Sequence, residues 1–247
     1  MMETAGQREP AQPLPGQLSG RKPGIRALLL PIKHLRNAKQ RLAGVLTSEE
    51  RFGLAQAMLA DTIRAVRAVQ RADRIFVMTN YEPAMETAAK SGWEILREDL
   101  QDSESASVDF ASRLCAEHGV TALLRVPLDV PLVQPSDIDE VLATECAAPA
   151  VVMVPSRDGT GTNAILRTPP TLFSSHFGPN SFAKHRGEAE QAGATIIIKR
   201  NKRLEMDVDD ESDLRALMRC DLTNTATGTW LKESGVAARF WARAIAI

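Results

Sequence analysis

Long apolar runs are missing from this 247-residue chain. No stretch approaches the roughly 18 consecutive apolar residues of a membrane helix, so no helical span is expected. An excess of charge of either sign is missing too: the formal net charge is −1. No chain-wide field then draws the molecule to nucleic acid or to a membrane surface, and electrostatic arguments must rest on local clusters. The three cysteines, Cys115, Cys146 and Cys220, show neither a CxxC spacing nor a pairing pattern, as in a protein of a reduced compartment. The opening residues "MMETAGQREP" lack the basic-then-apolar layout of a secretion signal. Together these absences predict a soluble, cytoplasmic α/β protein.

The hydrophobic fraction is 44%, enough for one sizeable core. Residues 1–24 hold Pro10, Pro13, Pro15 and Pro23 and almost nothing apolar, which predicts a disordered tail. Strand and helix patterns then alternate. "RALLLPI", "RIFVMTN", "WEILRE", "TALLRVPLD", "APAVVMVPS" and "ATIIIKR" read as strands, and "NAILRT" as a further apolar run. Amphipathic segments stand between them, with Ser48 and Ser136 as expected N-caps, Pro179 as an expected first helical residue, and Gly92, Gly119 and Gly193 as helix ends. This alternation predicts a parallel, doubly wound sheet with helices on both faces, whose ligands bind at the carboxyl ends of the strands.

Four loops at those ends carry chemistry. "LPIKHLRNAKQRL" places Lys33, Arg36, Lys39 and Arg41 directly after the first strand, where cations suit a polyphosphate; a solvated basic turn is the plain alternative. No GxxxxGK[ST] motif is present, so this is not a Walker loop. "VPLDVPLV" puts Asp129 at a strand end, as a Mg²⁺ ligand or a turn-forming residue before proline. In "LEMDVDDESDL" the alternation sets Asp207 and Asp209 on one face of an extended segment, where two carboxylates repel unless a cation sits between them; Asp210 or Ser212 can cap the helix that follows. Finally, "PSRDGTGTNAIL" and "HFGPNSF" offer Thr162, Asn163, a helix N-terminus with Gly178 as its cap, and Ser181, a composition suited to a small dianion.

Five motifs in this order, "LPIKHLRNAKQRL", "LDVPL", "PSRDGTGTNAIL", "FGPNSFAKH" and "MDVDDESDL", make the chain resemble the 2-phospho-L-lactate/phosphoenolpyruvate guanylyltransferases of coenzyme F-420 biosynthesis, over about residues 26–220. The resemblance implies a nucleotidyltransferase-type (Rossmann-like) three-layer α/β/α sandwich with a mostly parallel sheet, spanning residues 25–219 and followed by a helical extension over 220–247. It implies GTP as substrate, Mg²⁺ held by Asp129, Asp207 and Asp209, and Lys33, Lys39 and Arg41 facing the GTP phosphates. Lys33, Lys39, Arg41 and Asp129 would carry catalysis, and Thr162, Gly178 and Ser181, with Asn163 beside them, would bind the phosphorylated three-carbon acid. The acid is phosphoenolpyruvate, 2-phospho-L-lactate or 3-phospho-D-glycerate. Many relatives carry an "LNxA" element where this chain has "DSESASVDFA", so Ser105 and Ser107 are expected to replace it at the nucleotide. Leu128 also stands where a smaller residue is usual. A partner enzyme that consumes the unstable GDP-linked product is implied, as is a possible homodimer contact through the apolar extension, which otherwise packs on the body.

A phosphate monoester acceptor is largely dianionic at neutral pH, with a second pKa of about 6, so it needs no general base. That suits a chain in which none of His34, His118, His176 and His185 has an obvious partner in sequence; His176 and His185 are expected as structural or rim residues. Two rivals remain at this stage. One is a nucleotidyltransferase with another base or acceptor, though a "GGxSxRMG"-like first loop is absent. The other is a non-catalytic nucleotide-binding protein, which would have no need of the three carboxylates.

Overall fold

The computed structural model describes residues 24–98 and 102–245. The tail expected over residues 1–24 lies outside the described residues, Gly24 apart. Seven strands form one sheet: β1 (Ile25–Pro31), β2 (Arg74–Met78), β3 (Glu94–Leu96), β4 (Val120–Arg125), β5 (Ala150–Pro155), β6 (Thr162–Thr168) and β7 (Thr195–Ile198). The helices are α1 (Ser48–Arg67), α2 (Glu82–Lys90), α3 (Glu104–Glu117), α4 (Pro135–Leu142), α5 (Ser181–Gln191), α6 (Glu211–Leu217), α7 (Ala226–Glu233) and α8 (Val236–Ile245).

The strand order is β3-β2-β1-β4-β6-β5-β7. All neighbours run parallel except β6, which is antiparallel to both β4 and β5. The doubly wound parallel sheet read from the alternation is therefore mixed at this one strand. The cause is local: only residues 156–161 separate β5 from β6. A parallel return needs a crossover of a dozen or more residues, so this short link closes a hairpin. Thr162 and Asn163, read as loop residues, thus begin a buried strand.

Successive strand residues face opposite layers. Leu28 and Leu30 pack with Leu59, Ile63 and Val66 of α1, Ala84 and Ala88 of α2, and Ile138 and Val141 of α4. Ala27 and Leu29 pack on the other face with Val108, Ala111 and Cys115 of α3, while Val151, Met153 and Ile165 meet Ala189 of α5. Apolar residues on both faces of the strands therefore require two helical layers, which makes the three-layer sandwich. Leu28, Leu29 and Leu30 have no exposed surface, and truncating one such leucine to alanine costs about 2–5 kcal/mol.

The caps depart from the expected positions for identifiable reasons. Thr47, not Ser48, caps α1: its hydroxyl accepts from the Glu50 N–H while the Glu50 carboxylate accepts from the Thr47 N–H. A cap at Ser48 would place Arg51 third in the helix, a side chain with no acceptor to return. Gln134, not Ser136, precedes α4, with Asp137 accepting from the Gln134 N–H at 2.8 Å. Pro179 is not the first residue of α5, because Asn180 takes a left-handed conformation (φ 57°) and starts the helix at Ser181.

Beyond α6, the chain packs back on the body. Leu231, Val236 and Phe240 join Leu214, Leu217, Leu54 and Met58 in one cluster. Asp61, buried on α1, accepts from the N–H groups of Ala226 (2.7 Å) and Thr227 (2.9 Å) at the start of α7. Gly53 is required there, since a Cβ would lie 2.4 Å from Trp230 Nε1. No helix among the described residues is long and apolar enough to cross a membrane.

Candidate active site

Two adjoining clefts, of about 730 and 460 Å³, open at the carboxyl ends of β1 and β4, the edge the topology selects. They share Glu104, Arg125, Pro127 and Asp129. Lys33 lines the smaller cleft and Lys39 stands at its inner end. Lys39 adopts a left-handed backbone (φ 55°), which turns its side chain inward from the basic loop. Its ammonium reaches Asp129 and, at 3.0 Å, Asp209. Burial works against this charge, but the two carboxylates outweigh it and hold the lysine above its ordinary pKa. Arg41 is 71% exposed at the rim, 3.9 Å from Asp209 and from Asp210.

The acid pair comes to Asp129 through the backbone: the Val208 N–H donates to the Asp129 carbonyl at 3.2 Å. Val208 is fully buried, so alternation turns Asp207 and Asp209 to the cleft, as the sequence pattern implies. Asp210 proves to be the cap of α6, accepting from Ser212 and Asp213. Asp207 is pushed up to about 6, first by burial and then by the negative charge of Asp129, with Asp209 adding to it. Lys39 and the nearby Arg125 and Arg41 thus offset Asp129 and Asp209, and Asp207 is the carboxylate left without a cation beside it. No three His, Cys, Asp or Glu side chains among the described residues form a metal-binding group by themselves.

The other end of the larger cleft is built by the β5–β6 hairpin and the start of α5. The hairpin's polar residues largely satisfy one another: Asp158 accepts from the Ser156 hydroxyl (2.6 Å) and the Thr160 N–H (2.9 Å), and Ser156 Oγ accepts from the Gly161 N–H (2.7 Å). Thr162 and Ser181 line the cleft, joined by the Thr162 N–H donating to Ser181 Oγ at 2.9 Å. Asn163 also lines the cleft, its amide donating to the Leu204 carbonyl (2.8 Å) and to Asp207 (3.1 Å), so it positions the acid segment. Gly178 lines the opening with φ 112°, a conformation that favours glycine, and a Cβ there would meet only open space. It does not cap α5. The Ser181 N–H, expected to be free at the helix end, donates to the Gly178 carbonyl at 3.1 Å, and the Phe182 N–H to Thr160 at 3.1 Å.

Ser105 and Ser107 line neither cleft. Ser105 Oγ accepts from the Phe177 N–H at 2.9 Å, tying α3 to the loop before α5. Ser107 is buried and donates to Glu98 and to the Ser103 carbonyl. Arg125, which sequence reasoning missed, forms the seam between the clefts. It is 7% exposed, pairs with Glu104, donates to the Asn163 carbonyl at 2.9 Å, and stacks 4.3 Å from the Phe177 ring centre. The signal was present, since an arginine interrupts the apolar strand "TALLRVPLD". Arg157, also at the cleft, is held by Asp213 at 2.7 Å.

Residues 26–243 match a family model described as "Guanylyl transferase CofC like". A phosphoenolpyruvate guanylyltransferase from Conexibacter woesei is 35% identical over 190 residues, covering 76% of this chain and 85% of that protein. A 2-phospho-L-lactate guanylyltransferase from Methanothermobacter thermautotrophicus is 30% identical over 186 residues, covering 75% and 81%. Among solved structures, a proposed nucleotide-diphospho-sugar transferase from Desulfovibrio desulfuricans aligns with a TM-score of 0.69 at 14% identity, covering 87% of this chain and 97% of that one. A cytidylyltransferase from Leptospira borgpetersenii aligns with a TM-score of 0.54 at 13% identity, covering 87% and 96%. At these identities the two structures show a shared nucleotidyltransferase-like fold. The family match spans nearly the whole described chain and includes every residue of both clefts, and with it the chain belongs to the CofC-like guanylyl transferases.

Proposed function

We propose that this enzyme transfers GMP from GTP to the phosphate of a small phosphorylated acid, phosphoenolpyruvate, 2-phospho-L-lactate or 3-phospho-D-glycerate, in coenzyme F-420 biosynthesis. The observation that carries this reading is a pair of adjoining clefts with Lys33 and Lys39 on the smaller, Asp129 at the junction, and Asp207, Asp209 and the hydroxyl residues Thr162 and Ser181 lining the larger. The triphosphate lies along Lys33 and Lys39, with Arg41 at the rim. The acid lies against Thr162, Gly178 and Ser181.

The acceptor phosphate is already ionised, so one of its oxygens attacks the α-phosphorus of GTP directly. A new P–O–P bond forms, the bond to the β-phosphate oxygen breaks, and pyrophosphate leaves with the electron pair. No proton has to be removed, so His34, which lines the smaller cleft, is not needed as a base. Catalysis then consists of holding two anions in line and neutralising their repulsion. One or two of Asp129, Asp207 and Asp209 would hold Mg²⁺, which when bound would supply charge neutralisation to the phosphates. Lys39 orients Asp129 and Asp209, and Arg125 presents positive charge where the two substrates meet. Residues 25–219 supply these groups, and the extension over 220–247 supports α1 from behind. A cytoplasmic location, a possible homodimer and a partner that takes up the reactive GDP-linked product accord with this reading.

Incubating the enzyme with GTP and each acid in turn, and following pyrophosphate, tests it. One acid should give turnover that stops when excess EDTA is added. Pyrophosphate release from CTP but not GTP, or release with none of the acids, overturns the assignment.

A further inference from the structure

His185, on α5, is fully buried behind the acceptor wall and both of its ring nitrogens are engaged. Nε2 lies 2.8 Å from the backbone nitrogen of His176, and Nδ1 lies 3.0 Å from Thr162 Oγ1. A backbone N–H only donates, so Nε2 must accept and carries no proton. A neutral imidazole then carries its proton on Nδ1 and donates it to Thr162 Oγ1. The ring is held by Phe177 edge-on at 5.0 Å and Phe173 at 6.0 Å between centres. Burial, with the positive Arg167 and then His176, Arg125 and Lys184 nearby, keeps its pKa at about 3, so the neutral form persists.

The consequence reaches the cleft through hydrogen-bond bookkeeping. Thr162 Oγ1 accepts from His185, so its own hydrogen must point elsewhere. Ser181 Oγ accepts from the Thr162 N–H, so its hydrogen is not used in that bond either. Neither hydroxyl hydrogen has a protein acceptor among the described residues, and both residues line the cleft. Each hydroxyl thus uses one lone pair inside the protein and keeps its hydrogen free to donate, which suits an anion.

We infer that His185 is a positioning residue of the acceptor pocket: through its Nδ1–H bond to Thr162 it fixes the Thr162 hydroxyl as a donor toward the anionic acid, and through Nε2 it anchors the His176–Gly178 turn that frames the opening. This rests on the reading of that wall as the acid's site. Because His185 acts through Thr162, its loss weakens use of the acid and leaves the nucleotide end unchanged.

Three substitutions separate the two bonds. An asparagine amide falls near the Nδ1 position and a glutamine amide near Nε2. His185→Asn therefore keeps a donor for Thr162, His185→Gln keeps an acceptor for the His176 N–H, and His185→Phe removes both while keeping bulk. The KM for the acid should rise about three- to tenfold in His185→Gln and His185→Phe, the effect of one neutral hydrogen bond, and less in His185→Asn, with the KM for GTP unchanged in all three. In a Thr162→Val background the His185→Gln change should add little. Acid KM values that merely follow the melting temperatures of the three variants, or additive effects in the double variant, overturn the inference. In the wild-type protein, ¹⁵N NMR of the imidazoles should find one histidine protonated on Nδ1 and bare on Nε2 from pH 5 to 8. A proton on Nε2 of His185 overturns the inference even where guanylyl transfer is intact, whereas a wild-type enzyme with no GTP turnover defeats the functional reading and leaves the NMR result standing.

Discussion

The two ends of the active-site cleft achieve order by opposite means. At the junction, Lys39, Asp129, Asp207 and Asp209 are drawn from segments up to 170 residues apart, and their charges do not balance. At the wall proposed for the acceptor, Thr162, Ser181 and His185 are neutral and joined by hydrogen bonds that leave the two hydroxyl hydrogens without a protein partner among the described residues. The charged end is left incomplete and gains most from an arriving cation and triphosphate. The neutral end is finished before substrate arrives, so it contributes orientation at little further cost. Removing a group from the first should therefore cost rate, and removing one from the second should cost affinity.

The sharpest break in this comparison is Asp129→Asn. It deletes a carboxylate facing both Lys39 and the cleft, and turnover should fall by about 10²–10³-fold, in the range of a lost electrostatic contact to the reacting centre. Steady-state kcat beside circular dichroism checks it, with the fold expected intact. A modest loss of kcat would move the metal site away from this residue.

Next in size is the acceptor wall. Ser181→Ala should raise the KM for the acid about three- to tenfold and leave that for GTP unchanged, since one hydrogen bond is removed without altering charge. If the GTP constant changes and the acid constant does not, the two ends have been assigned in reverse.

A third prediction reads the neutral end through stability. The pKa of His185 is lowered to about 3 in the folded protein, from about 6.5 unfolded. A depressed histidine pKa means that the unfolded chain takes up the proton first. The stabilisation is therefore complete above pH 6.5 and is lost as pH falls toward 3, at a slope approaching 1.4 kcal/mol per pH unit. Asp207, raised to about 6, opposes this in the same window, so the difference between wild type and His185→Gln isolates the histidine. Urea midpoints from pH 7 to 4 should converge for the two proteins as pH falls.

The smallest effect belongs to Arg41→Ala. Its guanidinium is largely exposed and 3.9 Å from its nearest carboxylates, so solvent screens it. The KM for GTP should rise less than about threefold, as for a surface ion pair. A larger rise would mean that the basic loop folds over the nucleotide when it binds.

Much of this architecture was legible before any coordinate. The alternation of strands and helices, the basic loop after β1, and the shared face of Asp207 and Asp209 follow from local periodicity. The short β5–β6 link also carried the signal for a hairpin, although alternation alone suggested parallel strands throughout. Misplaced caps were errors of a residue or two, where adjacent residues such as Thr47 and Ser48 compete for one role.

What the sequence by itself determined was the inventory: which residue types stand at strand ends, and which faces are apolar. These are properties of a short window, and a window contains them. Only the tertiary structure decided the pairings: Lys39 between Asp129 and Asp209, Arg125 against Glu104 and Phe177, Ser105 committed to the Phe177 N–H, and the proton of His185 directed to Thr162. Each joins segments distant in the chain, and whether a hydroxyl donates or accepts is set by the partner it meets, which no local pattern specifies.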